Sequence, residues 1–157
     1  MQLSEHLTLA EVIKSNTAKR LGIDNTPTPE HLANLKLVAE NIFEPIRNYF
    51  NKPIYVSSGY RSKALNSATP GSSPTSQHCK GEALDLDQDA VNIGITNKMV
   101  FDYIKANLSF DELIWEYGTN TSPDWVHVSY KSTGRQRKQV LRATRVNGKP
   151  VYKSWAL

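Results

Sequence analysis

The run Ser76-Gln77-His78-Cys79-Lys80-Gly81-Glu82-Ala83-Leu84-Asp85-Leu86 sets a histidine and an aspartate seven positions apart. Downstream, Asp124-Trp125-Val126-His127 adds a second histidine with a carboxylate three positions before it. Two imidazoles and one carboxylate are the ligand set of an open catalytic zinc site, in which water takes the fourth position. A spare carboxylate beside such a metal serves as the general base in zinc hydrolases. The chemistry these residue types could do together is metal-assisted hydrolysis.

Such a site needs rigid elements beneath it. On a strand, Trp125, His127 and Ser129 share one face while Val126 and Val128 pack inward, which would anchor His127. Asp85 alternates with Leu84 and Leu86, so its carboxylate sits between two core residues and needs compensation, which a divalent cation supplies. Gly81 lets the chain turn sharply between His78 and Asp85. Cys79 is the one cysteine and forms no internal disulfide, which fits a reducing compartment. In an extended segment it would face away from His78, so it reads as a packed thiol. His6 and His31 read as ordinary polar residues.

The surrounding chain supplies helices first and strands later. Residues 8–22 read as one helix, with Thr8 and Glu11 as a capping box and Gly22 at its end. Thr28 and Pro29 start a second helix, with Leu32, Leu35, Ala39, Ile42 and Ile46 as its core stripe and Pro45 bending it. Ile54–Ser58 is a strand candidate, residues 59–61 a turn that displays side chains, and residues 66–75 a polar surface loop. Residues 83–87 read as a strand. Thr96 caps a third helix with Met99, Val100, Tyr103 and Ile104 on one side. Residues 113–117 and 125–130 read as strands joined by a turn. Residues 140–146 and 151–155 flank Asn147-Gly148, the strongest short hairpin signal. The expectation is a single α+β domain over residues 1–157, with N-terminal helices packed on a mainly antiparallel sheet.

Composition is that of a soluble globular chain: 39% hydrophobic and 22% charged among 157 residues. No apolar run is long enough to cross a membrane, and residues 1–11 have no signal-peptide character. The net charge of +4 hides an asymmetry. From Lys131 onward the chain carries eight of its 19 basic residues and none of its 15 acids, so the rest is net acidic. A one-sided basic tail favours an anionic cell envelope as partner. A nucleic-acid-binding role ranks last, because no recognition helix or stacking motif accompanies the charge.

Taken together, Ser58-Gly59-Tyr60-Arg61-Ser62, the Ser76-x-His78-x-x-Gly81-x-Ala83-x-Asp85 run and Trp125-Val126-His127 resemble the M15 family of zinc peptidases. The likeness runs in order from about residue 8 to residue 130. It is nearest the small phage-type branch, through the segment from Phe110 to Glu116 and the Trp-Val-His-Val-Ser strand. The resemblance implies the fold shared with the hedgehog signalling domain, and Zn2+ held by His78, Asp85 and His127. It implies Asp124 as catalytic carboxylate and Arg61 near the scissile carbonyl. Ser76 is a substrate-contact candidate, and Glu116 stands between substrate contact and structural pairing. Asp87 reads as a surface acid or a partner of Asp85. The family likeness implies peptidoglycan peptides as substrate, with an endolysin or a D-Ala-D-Ala carboxypeptidase as the type, acting as a monomer at the wall after synthesis without a signal peptide. A zinc-containing wall-binding module without catalysis is the rival reading, against which Asp124 and Arg61 both count.

Overall fold

The computed structural model describes residues 1–155 and is an α+β domain built on one six-stranded sheet. The chain opens with α1 (Leu9–Ile13) and α2 (Asn16–Leu21), then α3 (Pro29–Val38), a π-helical turn (Ala39–Phe43) and α4 (Glu44–Phe50). After β1 (Val56–Ser58) come α5 (Lys63–Ser67), a 3-10 turn (Gln77–Lys80), β2 (Ala83–Leu86) and α6 (Asn97–Asn107). The chain finishes with β3 (Glu112–Glu116), β4 (Trp125–Ser129), β5 (Gln139–Val146) and β6 (Lys149–Ser154). The strands lie in the order β1-β2-β4-β3-β5-β6, antiparallel except for the parallel pair β3 and β5.

Local chemistry explains where these elements depart from the expected ones. The capping box of Thr8 and Glu11 is present, but the predicted helix over 8–22 is two helices. Lys14 is extended, and Ser15 starts a new helix by accepting from the Ala18 N–H. Thr28 and Pro29 start α3 as expected. Pro45 has no N–H to give the preceding turn, and a π turn just before it absorbs the mismatch without breaking the core stripe. A short helix, α5, is not expected from the sequence, and it takes Asn66 and Ser67 from the start of the predicted polar loop. In α6 the buried face is Val100, Phe101 and Ile104, whereas Met99 is exposed.

One face of the sheet is the core face. Leu84, Leu86, Leu113, Trp115, Val126 and Val128 project from it against Leu35, Val38, Ile42 and Phe43 on one side and the buried face of α6 on the other. Trp115 is fully buried, edge-on to Phe101 at 5.1 Å, and donates its indole N–H to the Thr119 carbonyl. The β5–β6 hairpin turns at Asn147 and Gly148, both with positive φ, which matches the twist of a two-residue hairpin. It docks along β3, where Arg142 lies over Trp155 at 4.7 Å and reaches the Asn120 side chain. No helix is long and apolar enough to cross a membrane among the described residues.

The core face fixes the opposite face by the two-residue period of strands. The register pairs Asp85 with His127 and His127 with Ile114, so β2, β4 and β3 aim their polar residues into one area. Gly81 makes the turn that feeds β2 at a φ of 73°, and a Cβ there would lie 2.5 Å from the His31 carbonyl oxygen. Gly81→Ala should therefore lower stability by at least about 1–2 kcal/mol from left-handed strain alone. Urea denaturation checks this, and an unchanged midpoint would remove the turn from the account of how β2 is aimed.

Candidate metal centre and cleft

Each imidazole is held by a different element. His78 sits in the 3-10 turn that Ser76 caps by accepting from the His78 N–H. The segment is therefore a tight turn rather than the extended stretch expected, but Cys79 still lies outside the metal-capable group. His127 stands on β4, directly opposite Asp85 on β2. Asp85 Oδ1 lies 3.2 Å from His78 Nε2 and 3.1 Å from His127 Nδ1. The three offered atoms lie within 4.8 Å of one another. Tetrahedral zinc with bonds near 2.0–2.1 Å separates its ligand atoms by about 3.3 Å, so the spacing suits that ion.

The hydrogen bonding makes the case chemically. His78 Nδ1 lies 2.6 Å from the Gly59 carbonyl oxygen, which can only accept, so Nδ1 carries the hydrogen. In the neutral ring Nε2 is then a bare lone pair, and it faces a carboxylate oxygen. Burial holds the His78 pKa below its usual value despite Asp85, which favours that neutral form. A proton on Nε2 or a metal ion between the two atoms satisfies both. A metal ion satisfies the donor set, and the Gly59 carbonyl then supplies the outer partner that orients a ligating imidazole.

His127 and Asp85 are tuned in complementary directions. Burial alone would press the His127 pKa down, but the hydrogen bond and charge of Asp85 raise it. Burial would raise Asp85, but both imidazoles hold it far below the ordinary carboxylate range.

These groups line the floor of a cleft of about 630 Å³. The loop over residues 69–77 and Arg61 form one wall, and the C-terminal hairpin the other. The Arg61 N–H donates to the His78 carbonyl, and its guanidinium reaches Ser76 Oγ at 3.5 Å. Arg61 Nε is buried without a hydrogen-bond partner. Arg61 as a residue still lines the cleft.

Glu116 is a floor residue, 6% exposed and two positions from Ile114 on the face shared with His127. Burial pushes its pKa up to about 7, opposed by the attraction of His127 and the two arginines 61 and 145. Asp124, the expected catalytic carboxylate, is not brought to this floor. It is exposed and stands in phase with core-facing Val126 rather than with His127, and its carbonyl accepts from the Asn97 side chain. Asp87 is not joined to Asp85; it accepts from Asn97 and from the Ala90 N–H. His31 bonds Tyr60, and His6 bonds Glu44, as residues with ordinary partners do.

Several positioning residues left no signal in the sequence. Asn25 accepts from the Ser62 N–H and donates to the Ile13 and Tyr60 carbonyls, fixing the turn that carries Arg61. Asp111 is fully buried, takes a two-nitrogen bond from Arg137 and accepts from Gln77 beside His78. Glu82 accepts from the Ser132 N–H and so ties down the start of the basic tail.

His127→Ala should abolish stoichiometric zinc retention after dialysis, read by elemental analysis, and retained metal would refute the ligand role. Protons compete with metal at His127, whose proton affinity is raised. Zinc affinity should therefore fall steadily between about pH 8 and pH 5, and a flat profile by competitive chelation would contradict this centre.

Residues 5–129 match the family model described as Peptidase M15, a family of zinc-dependent metallopeptidases. A search of curated proteins finds no match. The match covers most of the chain and both segments that carry the two histidines and the aspartate, so the chain belongs to the M15 peptidase family.

Proposed function

We propose that this cleft hydrolyses peptide bonds of peptidoglycan, in the stem or cross-bridge, with zinc held by His78, Asp85 and His127. The carrying observation is the buried lone pair of His78 facing the Asp85 carboxylate, with a second, uncommitted carboxylate, Glu116, on the same floor. When bound, zinc supplies a Lewis acid that activates water and polarises a carbonyl. The protein's own groups do the rest.

Glu116 is the general base in this reading. It is walled from bulk solvent, faces the cleft and has a proton affinity suited to working near neutrality. It takes the proton of the attacking water and returns it to the leaving amine. Arg61 places fixed positive charge where the carbonyl oxygen gains negative charge, a role typically worth about 2.7–4 kcal/mol of transition-state stabilisation. Ser76 orients Arg61 and caps the His78 turn. The second reading keeps Asp124 as base, favoured by its Asp-x-x-His spacing from His127; it requires the carboxylate to turn in from the surface.

The wall substrate rests on family likeness and on exposed cations. Of the basic tail, Arg137 and Arg142 are engaged within the fold, whereas Arg135, Lys138, Lys149 and Lys153 are exposed and favour an anionic envelope. An endolysin-type enzyme acting at the wall fits these features. A silent wall-binding module has no use for a buried, unpaired base.

Glu116→Gln should keep zinc and fold yet slow hydrolysis about 10²–10⁴-fold, while Asp124→Asn stays near wild type. The reverse pattern would return the base to Asp124. A deprotonated Glu116 is required, so the rate should fall as pH drops through its pKa. Arg61 and Arg145 already act within that value of about 7, and a bound dication would lower it further, which places the acid limb of kcat/KM below pH 7. Digestion of sacculi with and without chelator, read by mass spectrometry of the released peptides, tests the function itself. No new amino or carboxyl ends in the zinc-loaded digest would sink it.

A further inference from the structure

The cleft extends beyond the part of the chain that matches the family. Residues 5–129 carry the match, yet the hairpin formed by β5 and β6 contributes Arg145, Pro150 and Tyr152 to the wall beside Glu116. The parallel pairing of Glu116 with Ala143 puts Arg145 two residues past that point, on the same side of the sheet. The Arg145 guanidinium lies over the Tyr117 ring at 4.1 Å, and Tyr117 meets Trp125 edge-on at 5.4 Å. Stacking of this kind orients a guanidinium without neutralising it. Among the described residues Arg145 has no ion pair and no hydrogen bond, so its donors remain available.

We infer that Arg145, braced on Tyr117, is a specificity-determining residue that binds a carboxylate of the peptide substrate at the hairpin end of the cleft. The inference rests on the peptidase reading for its substrate class. Its geometry suits a planar anion, because the fork of a guanidinium matches a carboxylate with two parallel bonds. The opposite end of the cleft already has Arg61, so a peptide crossing the floor would meet fixed positive charge on both sides of the metal-capable group. Tyr152, whose hydroxyl is pushed up to about 12 by burial and by Glu116, stays protonated and adds a neutral donor on the same wall.

The test is binding of L-Ala-γ-D-Glu-L-Lys-D-Ala-D-Ala to the full chain in chelator, where no turnover intervenes. Three forms are titrated by calorimetry: both carboxylates free, the D-Glu carboxylate amidated, and the terminal carboxylate amidated. One amidation should weaken binding to the wild type about tenfold, the scale of one charge-assisted contact. The form that weakens identifies which carboxylate is read. Arg145→Gln should bind all three forms alike, and Arg145→Lys should recover part of the discrimination. Equal affinities for the wild type, discrimination that survives Arg145→Gln, or no binding of any form would each overturn the inference. Thermal melting of the variants verifies the fold. Absence of cleavage by the zinc-loaded wild type would count against the peptidase reading alone, since the binding comparison does not depend on it.

Discussion

A lone pair pointed at a carboxylate organises this molecule. The Gly59 carbonyl takes the His78 Nδ1 hydrogen, and the ring is buried, so the other nitrogen meets Asp85 with nothing between them but the need for positive charge. Such an arrangement is costly in isolation, because two desolvated acceptors repel. The fold holds it anyway. The β1–β2–β4 pairing sets Asp85 opposite His127, and the Ser76-capped turn lowers His78 onto them. A group able to hold a cation is thereby built into the core-backed face of the sheet. Affinity for a metal is the other side of that cost.

The same register explains why a second carboxylate can sit close by without collapsing onto the metal-capable group. Glu116 pairs with Trp125 across β3 and β4, while Ile114 pairs with His127. An apolar side chain therefore stands opposite His127, and the carboxylate is displaced along the strand. Burial raises the Glu116 pKa to about 7, and the positive charge of His127, Arg145 and Arg61 opposes that rise. Placement by strand period achieves both separation and coupling.

Much of this was legible in the residues. The alternation of Leu84-Asp85-Leu86 and Val126-His127-Val128 requires a polar face carrying both side chains, and Gly81 marks the turn that serves them. The hairpin was announced by Asn147-Gly148, and the start of α3 by Thr28-Pro29. What was hidden depended on distant partners. The two-residue period already sets Asp124 in phase with Val126, but the Asn97 side chain that holds the 123–124 carbonyls acts from more than twenty residues away and left no local signal. Glu116 stood between substrate contact and structural pairing in the sequence, and its burial on the cleft floor came only from the packing of β3. The division of residues 8–22 turned on one serine able to cap, a choice decided by tertiary packing over propensity.

Asp111 gives the architecture a constraint on its own diversification. One buried carboxylate grips Arg137 at the root of the hairpin and Gln77 next to His78, so two regions remote in sequence share a single anchor. The hairpin is an edge addition that pairs with β3 and leaves β1, β2 and β4 untouched. The whole hairpin with its root can therefore be exchanged for another with little effect on the histidine–aspartate group, provided the graft retains a guanidinium for Asp111. A transplant lacking that group would leave an uncompensated charge under the histidine turn and loosen the very centre it was meant to decorate.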